Sequence, residues 1–216
     1  MGDRIVNYGG GPITISGGNV ISFVAGMTID KDGSPRAYHP KGSPPGADFL
    51  ANAGHPGSWW GLACDSQGHP IIQSAKDPAP GFYVSTTSYK HRGFPNGDPR
   101  RELNSDEVPF IVIPSPLIRE VRGVLLGARA VILTPDGHPI ACVVGDIGPK
   151  AHLGEASAQA ARLCGVDSNP KTGGSSRRFT YTIYADVPAP GFELKPALHT
   201  ETVTAIAQIA DFKYVK

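Results

Sequence analysis

The sequence is poor in charge and contains no long apolar segment. Only 18% of its 216 residues are charged, and 20 lysines and arginines against 19 aspartates and glutamates leave a net charge of +1. Because a phosphate backbone is bound by a basic surface, this balance argues against a nucleic-acid partner. The longest apolar run, residues 123–133, is interrupted by Arg129 and is shorter than the roughly 18 residues of a membrane span. We therefore expect no nucleic acid and no membrane as partner.

Cysteine and the common catalytic signatures are also scarce. Cys64, Cys142 and Cys164 lack metal-ligand spacing, which favours unpaired structural thiols, with one disulfide as the alternative. The sequence has no GxSxG, HExxH, Walker or GxGxxG motif. Four of the seven histidines precede proline, a pattern more typical of turns than of metal sites. These absences predict a protein without a metal or an organic cofactor.

Glycine and proline are abundant, with 27 and 21 residues, so the chain must turn often. Short runs of β-branched, aromatic and aliphatic residues between turns predict strands. Two segments with helical spacing, residues 155–164 and 201–210, predict short helices. We expect one mainly β domain, a barrel or a sandwich, over residues 20–216, preceded by a lead-in over residues 1–19 without a signal-peptide pattern. The predicted strands are residues 20–29, 83–88, 110–113, 124–133, 140–144 and 179–184.

The most informative stretch is residues 143–164, where two carboxylates lie beside glycines. Asp146 follows Gly145 at the end of an apolar run, and Glu155 follows Gly154 at the start of the alanine-rich segment. A paired Asp and Glu is the minimum apparatus for glycoside hydrolysis, one as acid and the other as base or nucleophile. The alternative is purely structural, because such residues often bond local amides or favour a helix N-terminus. His152 lies between the two and could line the same site or simply be solvated.

Aromatic residues flank polar turns in the first half of the chain, at Trp59, Trp60 and Tyr83. The apolar faces of sugar rings stack on such side chains, although the same residues could equally belong to the core. Neighbours on a strand face opposite ways, so we expect one of the two tryptophans to point inward.

The run Val-Gly-Asp-x-Gly-Pro at residues 144–149, followed by Gly-Glu-Ala-Ser at residues 154–157, resembles the glycoside hydrolase family 75 chitosanases. Four other segments look like the bacterial members of that family: Met-Thr-Ile-Asp-Lys-Asp-Gly (27–33), Ala-Tyr-His-Pro (37–40), Tyr-Val-Ser-Thr-Thr-Ser (83–88) and Val-Pro-Phe-Ile-Val-Ile-Pro (108–114). The similarity extends from about residue 20 to about residue 185.

The resemblance implies a secreted endo-acting enzyme on a double-psi-like β-barrel, which cuts β-1,4 links between the glucosamine units of chitosan with inversion. It implies Glu155 as general acid and Asp146 as general base. Inversion requires about 6.5–9.5 Å between the two carboxyl groups. Because chitosan is a polycation in mild acid, Asp30, Asp32, Asp65 and Asp77 are candidate contacts for its amines, although Asp-x-Asp-Gly is also a common turn.

We expect the substrate-binding residues to be Asp30, Asp32, Trp59, Trp60, Tyr83 and His152, in a monomer. Two alternatives differ from the chitosanase hypothesis. The same site could hydrolyse another amino-sugar glycan, such as peptidoglycan or partly acetylated chitin. Alternatively, the chain could be a glycan-binding module that cuts nothing.

Overall fold

The computed structural model describes residues 3–17, 19–91, 93–121 and 125–188. The described chain is one mainly β domain built on a closed six-stranded β-barrel, with two short helices, as the sequence predicts. Its helices are α1 (Leu117–Glu120) and α2 (Ala158–Leu163), and single 3-10 turns occur at Leu50–Ala53 and Pro99–Arg101. The described strands are β1 (Arg4–Asn7), β2 (Pro12–Ser16), β3 (Val20–Asp30), β4 (Gly54–His55), β5 (Ser58–Trp59), β6 (Phe110–Pro114), β7 (Ala128–Leu133), β8 (Pro139–Gly148), β9 (Glu155–Ser157) and β10 (Ser175–Pro188).

The barrel closes in the order β3, β10, β7, β8, β6, β9 and back to β3. Strand β3 makes this closure possible because it is long enough to serve two partners along one edge. Its first residues pair with β2, and its last residues pair in parallel with β9, where Thr28 lies opposite Glu155. Its other edge pairs with β10. Strands β6 and β8 form a second parallel pair in this otherwise antiparallel barrel.

The barrel interior is filled by alternate residues of its strands. In β3, Ile21, Phe23, Ala25 and Met27 are buried and belong to the main hydrophobic cluster, while the residues between them are more exposed. This alternation of period two places every second side chain on the inner face. Phe23 stacks on Tyr181 of β10 with 4.9 Å between ring centroids. Cys142 and Cys164 are buried in the same cluster, and all three cysteines are free thiols.

The first 19 residues are more than a lead-in. Strands β1 and β2 form a hairpin, and β2 continues the sheet beyond β3. Ile13 and Ile15 of β2 are buried in the main cluster, so this segment contributes to the core of the domain. The alternation of Ile13 and Ile15 with Thr14 and Ser16 is a strand pattern, but it is short and follows three glycines and Pro12, which are typical of an irregular segment.

Two further predictions differ from the structure. The spacing of residues 155–164 predicts one helix, but Glu155–Ser157 is strand β9 and the helix begins at Ala158. The three-residue strand is fixed by pairing with β3 on one side and β6 on the other, which overrides the helical preference of the alanines. Residues 83–88 form only isolated bridges, Ile72 with Tyr83 and Leu62 with Ser85. The predicted helix at residues 201–210 lies outside the described residues.

The chain between β3 and β6, residues 31–109, forms a long insertion with little regular structure. It has a small hydrophobic cluster of its own, made of Ala37, Tyr38, Ala53 and Leu62, against which Trp59 and Tyr83 pack. Hydrogen bonds join the insertion to the end of β8, where Tyr89 N–H donates to the carbonyl of Gly145 at 2.9 Å. No helix in the described part of the chain is long and apolar enough to cross a membrane.

Candidate active site

A one-residue bulge in β8 determines where Asp146 points. Val144 pairs with Ile111 of β6, but the next residue of β6, Val112, pairs with Asp146, so Gly145 is the extra residue. Val144 and Ile147 on either side contact the core cluster inside the barrel. Without the bulge, Asp146 would share the inward orientation of Val144, two residues earlier. The bulge instead turns the Asp146 carboxyl to the outer face, a use of bulges that is common next to active sites.

Glu155 lies on the same outer face. It precedes Ala156, which is buried in the barrel core and pairs with Ile111 of β6. The antiparallel register then places Glu155 beside Val112, the residue that Asp146 flanks from the other side. Neighbouring strands are about 4.8 Å apart, so the backbones of Glu155 and Asp146, two strands apart, are separated by roughly 9–10 Å.

The carboxyl group of Asp146 is buried and held through one oxygen. Its Oδ1 accepts hydrogen bonds from the Ser88 hydroxyl, from Ser88 N–H at 2.9 Å and from Ile147 N–H at 2.7 Å. Burial raises the pKa of Asp146 above its ordinary value, while these three donors and the positive charge of Lys90 counteract that rise. The donors thus stabilise the ionised form of a carboxyl that burial alone would keep protonated.

Glu155 has a different environment. Burial first, and then the negative charges of Asp146 and Asp48, raise its pKa to about 7. Its Oε2 lies close to Gly148, where a Cβ atom would come within 3.0 Å of it. A carboxyl group with this pKa holds its proton in mild acid, as a general acid must.

Asp30 and Asp32 complete a group of four carboxyls, with Asp146 and Glu155, that we call the carboxyl cluster. Burial, followed by the charges of Asp32, Asp146 and Glu155, raises the pKa of Asp30 well above its ordinary value. Burial and the charge of Asp146 do the same to the pKa of Asp32. Mutual repulsion in a buried site favours protons on some members of such a group.

Asp32 and Asp30 also bond within their own loop. Asp32 Oδ1 accepts from the Tyr38 hydroxyl at 2.7 Å and from the Ser85 hydroxyl at 3.2 Å, which fixes the start of the insertion against its later part. Asp30 Oδ1 accepts from the N–H of Asp32 at 2.7 Å. The turn that Asp-x-Asp-Gly predicts is therefore present, and it holds both carboxyls in the cluster rather than in solvent.

The predicted aromatic residues lie on the insertion beside the cluster. Tyr83 and Trp59 are half-buried against the Tyr38 side of the small hydrophobic cluster. Trp60 is 63% exposed, and its indole N–H donates to the carbonyl of Asn52 at 2.8 Å. Asn52 in turn bonds the buried carboxylate of Asp48, whose charge acts on Glu155. One tryptophan packs inward and the other faces solvent, as the sequence predicts.

His152 is exposed and does not act on the pKa of Asp146 or Glu155 as a leading cause. Its Nε2 lies 2.7 Å from the hydroxyl of Thr28, the residue that pairs with Glu155. His152 therefore lies beside Thr28, whose partner on the neighbouring strand is Glu155.

Several residues that shape the site carry no recognisable signal in the sequence. Ser88 lies in a run of small polar residues, and Asp48 and Glu102 lie in loops without a motif. Tyr38 and Ser85 reach Asp32 only because the insertion folds back onto the end of β3. Contacts between residues more than fifty positions apart, such as Ser88 with Asp146, have no local pattern from which they could be read.

The donor set does not indicate a metal. Within the described ranges, no group of three or more His, Cys, Asp or Glu side chains is arranged to hold a metal ion.

No protein-family model matches the chain, and no curated protein matches its sequence. The site is thus defined by its own geometry: four buried or half-buried carboxyls on the outer face of a β-barrel, beneath an insertion that carries aromatic residues.

Proposed function

We propose that this protein is an inverting endo-chitosanase, with Glu155 as general acid and Asp146 as general base. The observation that carries the proposal is the position of these two carboxyls, on one outer face and two strands apart, in opposite hydrogen-bonding environments. Asp146 has three donors that favour its ionised form. Glu155 has a pKa of about 7 and stays protonated in mild acid.

In the proposed reaction, a glycosidic bond lies between the two groups. Glu155 donates its proton to the glycosidic oxygen as the bond from that oxygen to the anomeric carbon breaks. Asp146 removes a proton from a water molecule that attacks the anomeric carbon from the opposite face. The products are a free sugar hydroxyl and a new reducing end of inverted configuration. The step leaves Glu155 ionised and Asp146 protonated, and both return to their starting forms by proton exchange with solvent water.

The separation of the two carboxyl groups distinguishes inversion from retention. Retaining enzymes have carboxyl groups about 5–5.5 Å apart, and inverting enzymes about 6.5–9.5 Å apart, because the latter must accommodate a water. The backbones of Asp146 and Glu155 are roughly 9–10 Å apart across β8, β6 and β9, but Glu155 Oε2 reaches over β6 to Gly148 of β8, so the carboxyl groups are closer than the backbones. The inverting assignment therefore rests on the resemblance to family 75, and the anomeric signals of the first products test it.

A cationic substrate is supported by the distribution of charge. The chain as a whole carries a net charge of +1, yet four carboxyls are concentrated in one site, and Lys90 is the cation that acts on Asp146. Lys90 is itself paired with the buried Glu102 at 2.9 Å, which reduces its effect. We propose that Asp30 and Asp32 meet the amines of glucosamine units and that Trp60, Trp59 and Tyr83 contact their rings.

The first test is proton NMR of chitosan oligomers during digestion, with the anomeric signals of the first products as the measurement. Initial α-anomer from the β-linked substrate supports the proposal, whereas initial β-anomer would overturn the inverting roles. Glu155→Gln and Asp146→Asn should each reduce turnover by about 10²–10⁴-fold without loss of the fold. Turnover of acetylated glycans but not of chitosan would identify an acetylated glycan as the substrate in place of chitosan. Saturable binding without any turnover would favour a binding module.

A further inference from the structure

The carboxyl group of Asp146 is held asymmetrically. All three of its hydrogen bonds go to Oδ1, two of them from Ser88 and one from Ile147 N–H. Among the described residues, no hydrogen bond goes to Oδ2. Hydrogen bonds to one oxygen of a carboxylate fix the plane of the group and the direction of its second oxygen. A general base that takes a proton from one position needs this orientation.

Ser88 is held firmly enough to provide that orientation. The preceding residue, Thr87, donates its N–H to the carboxylate of Glu102 at 2.9 Å, and its hydroxyl accepts from Leu103 N–H at 3.0 Å. The following residue, Tyr89, donates its N–H to the carbonyl of Gly145 at 2.9 Å, directly beside Asp146. Both neighbours of Ser88 are thus bonded to other parts of the domain.

Glu102 acts as the anchor of this segment. It is 1% exposed, and besides Thr87 N–H its carboxylate binds the ammonium of Lys90 at 2.9 Å. A buried carboxylate with a backbone donor and a paired cation is satisfied, so it can fix both ends of residues 87–90 at once. The segment has no regular secondary structure, and these bonds take the place of a sheet or helix in fixing Ser88.

We propose that Ser88 is a positioning residue: its hydroxyl holds Oδ1 of Asp146 so that Oδ2 faces the attacking water, and it favours the ionised form of that carboxyl. This inference rests on the proposed function for its catalytic consequence, but the effect of Ser88 on Asp146 does not. The hydroxyl supplies one of the three donors to Oδ1, and the backbone N–H of Ser88 supplies a second that no substitution by alanine removes.

The charged groups that share the site with Asp146 determine what removal of the hydroxyl does. Asp30, Asp32 and Glu155 are the carboxyls whose own pKa values Asp146 raises, so an ionised Asp146 favours their protonated forms. Lys90 is the cation that favours ionisation of Asp146. Burial opposes that ionisation and the donors to Oδ1 favour it, so loss of one donor shifts the titration of Asp146 to higher pH.

The test uses the full chain with Ser88→Ala, Ser88→Thr and Ser88→Cys. Carboxyl-carbon NMR follows the titration of Asp146, assigned by comparison with Asp146→Asn, and chitosan hydrolysis gives kcat/KM against pH. We expect Ser88→Ala to move both the Asp146 titration and the acid limb of kcat/KM to higher pH and to lower kcat about tenfold or more. Ser88→Thr should restore both, and Ser88→Cys, a weaker donor, should fall between them.

Ser74→Ala is the matched control, because Ser74 donates its hydroxyl to Asp77 at 2.7 Å in an exposed loop away from the cluster. It should change neither readout. An Asp146 titration in Ser88→Ala that equals the wild type would overturn the inference whatever the activity. If the Asp146 titration moves but the wild type cleaves no glycan, the effect of Ser88 on Asp146 is confirmed and the proposed function is wrong. If Ser88→Ala does not fold, the Asp146 titrations of Ser88→Thr and Ser88→Cys are compared instead, and equal titrations would overturn the inference.

Discussion

Individual residues in the site serve two purposes that the sequence presents as alternatives. Asp30 makes the local turn bond to Asp32 N–H, and it also belongs to the carboxyl cluster. Asp65 makes the same kind of local bond in an exposed turn, where backbone N–H donors lower the pKa of its carboxyl. The residue type and the turn are the same, but burial and neighbouring carboxyls reverse the direction of the pKa shift at Asp30. Local hydrogen bonding therefore does not distinguish an aspartate in an exposed turn from one in the carboxyl cluster.

The two neighbouring tryptophans should separate stability from binding. Trp59 packs against the cluster around Tyr38, so Trp59→Ala should lower the free energy of unfolding by about 2 kcal/mol. Trp60 is 63% exposed, so Trp60→Ala should leave that free energy within about 0.5 kcal/mol of the wild type. Urea unfolding measures both.

If Trp60 stacks on a sugar ring, Trp60→Ala should also weaken the binding of chitosan oligomers by about three- to tenfold. Calorimetric titration in the Glu155→Gln background, where no hydrolysis disturbs the measurement, gives this value. Unchanged affinity would show that the exposed ring has no part in glycan binding.

At the scale of secondary structure, the sequence predicts what local pattern encodes. The apolar runs around residues 135–138 predict the hairpin of β7 and β8, and β3, β6 and β10 are also found where alternation or β-branched residues place them. The Gly145 bulge, the parallel pairing of β9 and the contacts of the insertion depend on distant residues, and no local pattern marks them. The glycines beside Asp146 and Glu155 mark these two residues as candidates in the sequence, whereas the contacts of Ser88, Asp48 and Glu102 become visible only in the fold.

The turn that leads into β9 provides a test at this scale. Gly154 has φ +89°, and a Cβ there would lie 2.3 Å from the carbonyl oxygen of Gly26 and 2.8 Å from Cβ of Ala25. Gly137, in the β7–β8 turn, has nearly the same φ of +88°, but nothing lies within 4 Å of the place that a Cβ would occupy there. Gly154→Ala thus combines backbone strain with a clash against β3, whereas Gly137→Ala has the strain alone.

We expect Gly137→Ala to cost about 1–2 kcal/mol of unfolding free energy, the usual penalty of a left-handed conformation for alanine. Gly154→Ala should cost clearly more, at least about 3 kcal/mol, and should abolish turnover because Glu155 is the next residue. Thermal unfolding and chitosan hydrolysis measure the two effects. Equal costs for both variants would mean that the close approach of β3 to this turn is not maintained in solution.

The described part of the chain is organised so that one face of the barrel bears the carboxyl cluster and the insertion completes its surroundings. The barrel core fixes Asp30, Asp146 and Glu155 through β3, β8 and β9, whose inner faces are packed with aliphatic residues. Residues 31–109 add the polar contacts, Tyr38 and Ser85 to Asp32 and Ser88 to Asp146. Rigid strands thus carry the carboxyls, and loops tune their protonation.

This concentration of carboxyls determines how the stability of the whole domain depends on pH. A carboxyl whose pKa is higher in the folded than in the unfolded state stabilises the fold below its unfolded pKa, and that stability is lost as the pH rises through its folded pKa. For Glu155 this window runs from its ordinary value of 4.5 to about 7, and Asp30, Asp32 and Asp146 act in the same direction. Asp98 and Asp106 act in the opposite direction, because hydrogen bonds and ion pairs outweigh burial there and lower their pKa values below 3.8, so their contribution is lost as the pH falls.

The unfolding temperature should therefore be highest in mild acid, at about pH 4–5, and should fall on both sides. Glu155→Gln replaces the protonated carboxyl by a neutral group of the same shape, so it should match the wild type near pH 4 and exceed its unfolding free energy at pH 8 by about 3 kcal/mol. Glu120→Gln, which alters a surface ion pair with Arg4, is the control and should show no such pH-dependent gain. Unfolding in urea at pH 4 and pH 8 measures the difference. If Glu155→Gln were no more stable than the wild type at pH 8, the Glu155 carboxyl would not be held protonated by the fold, and its assignment as general acid would lose its physical basis.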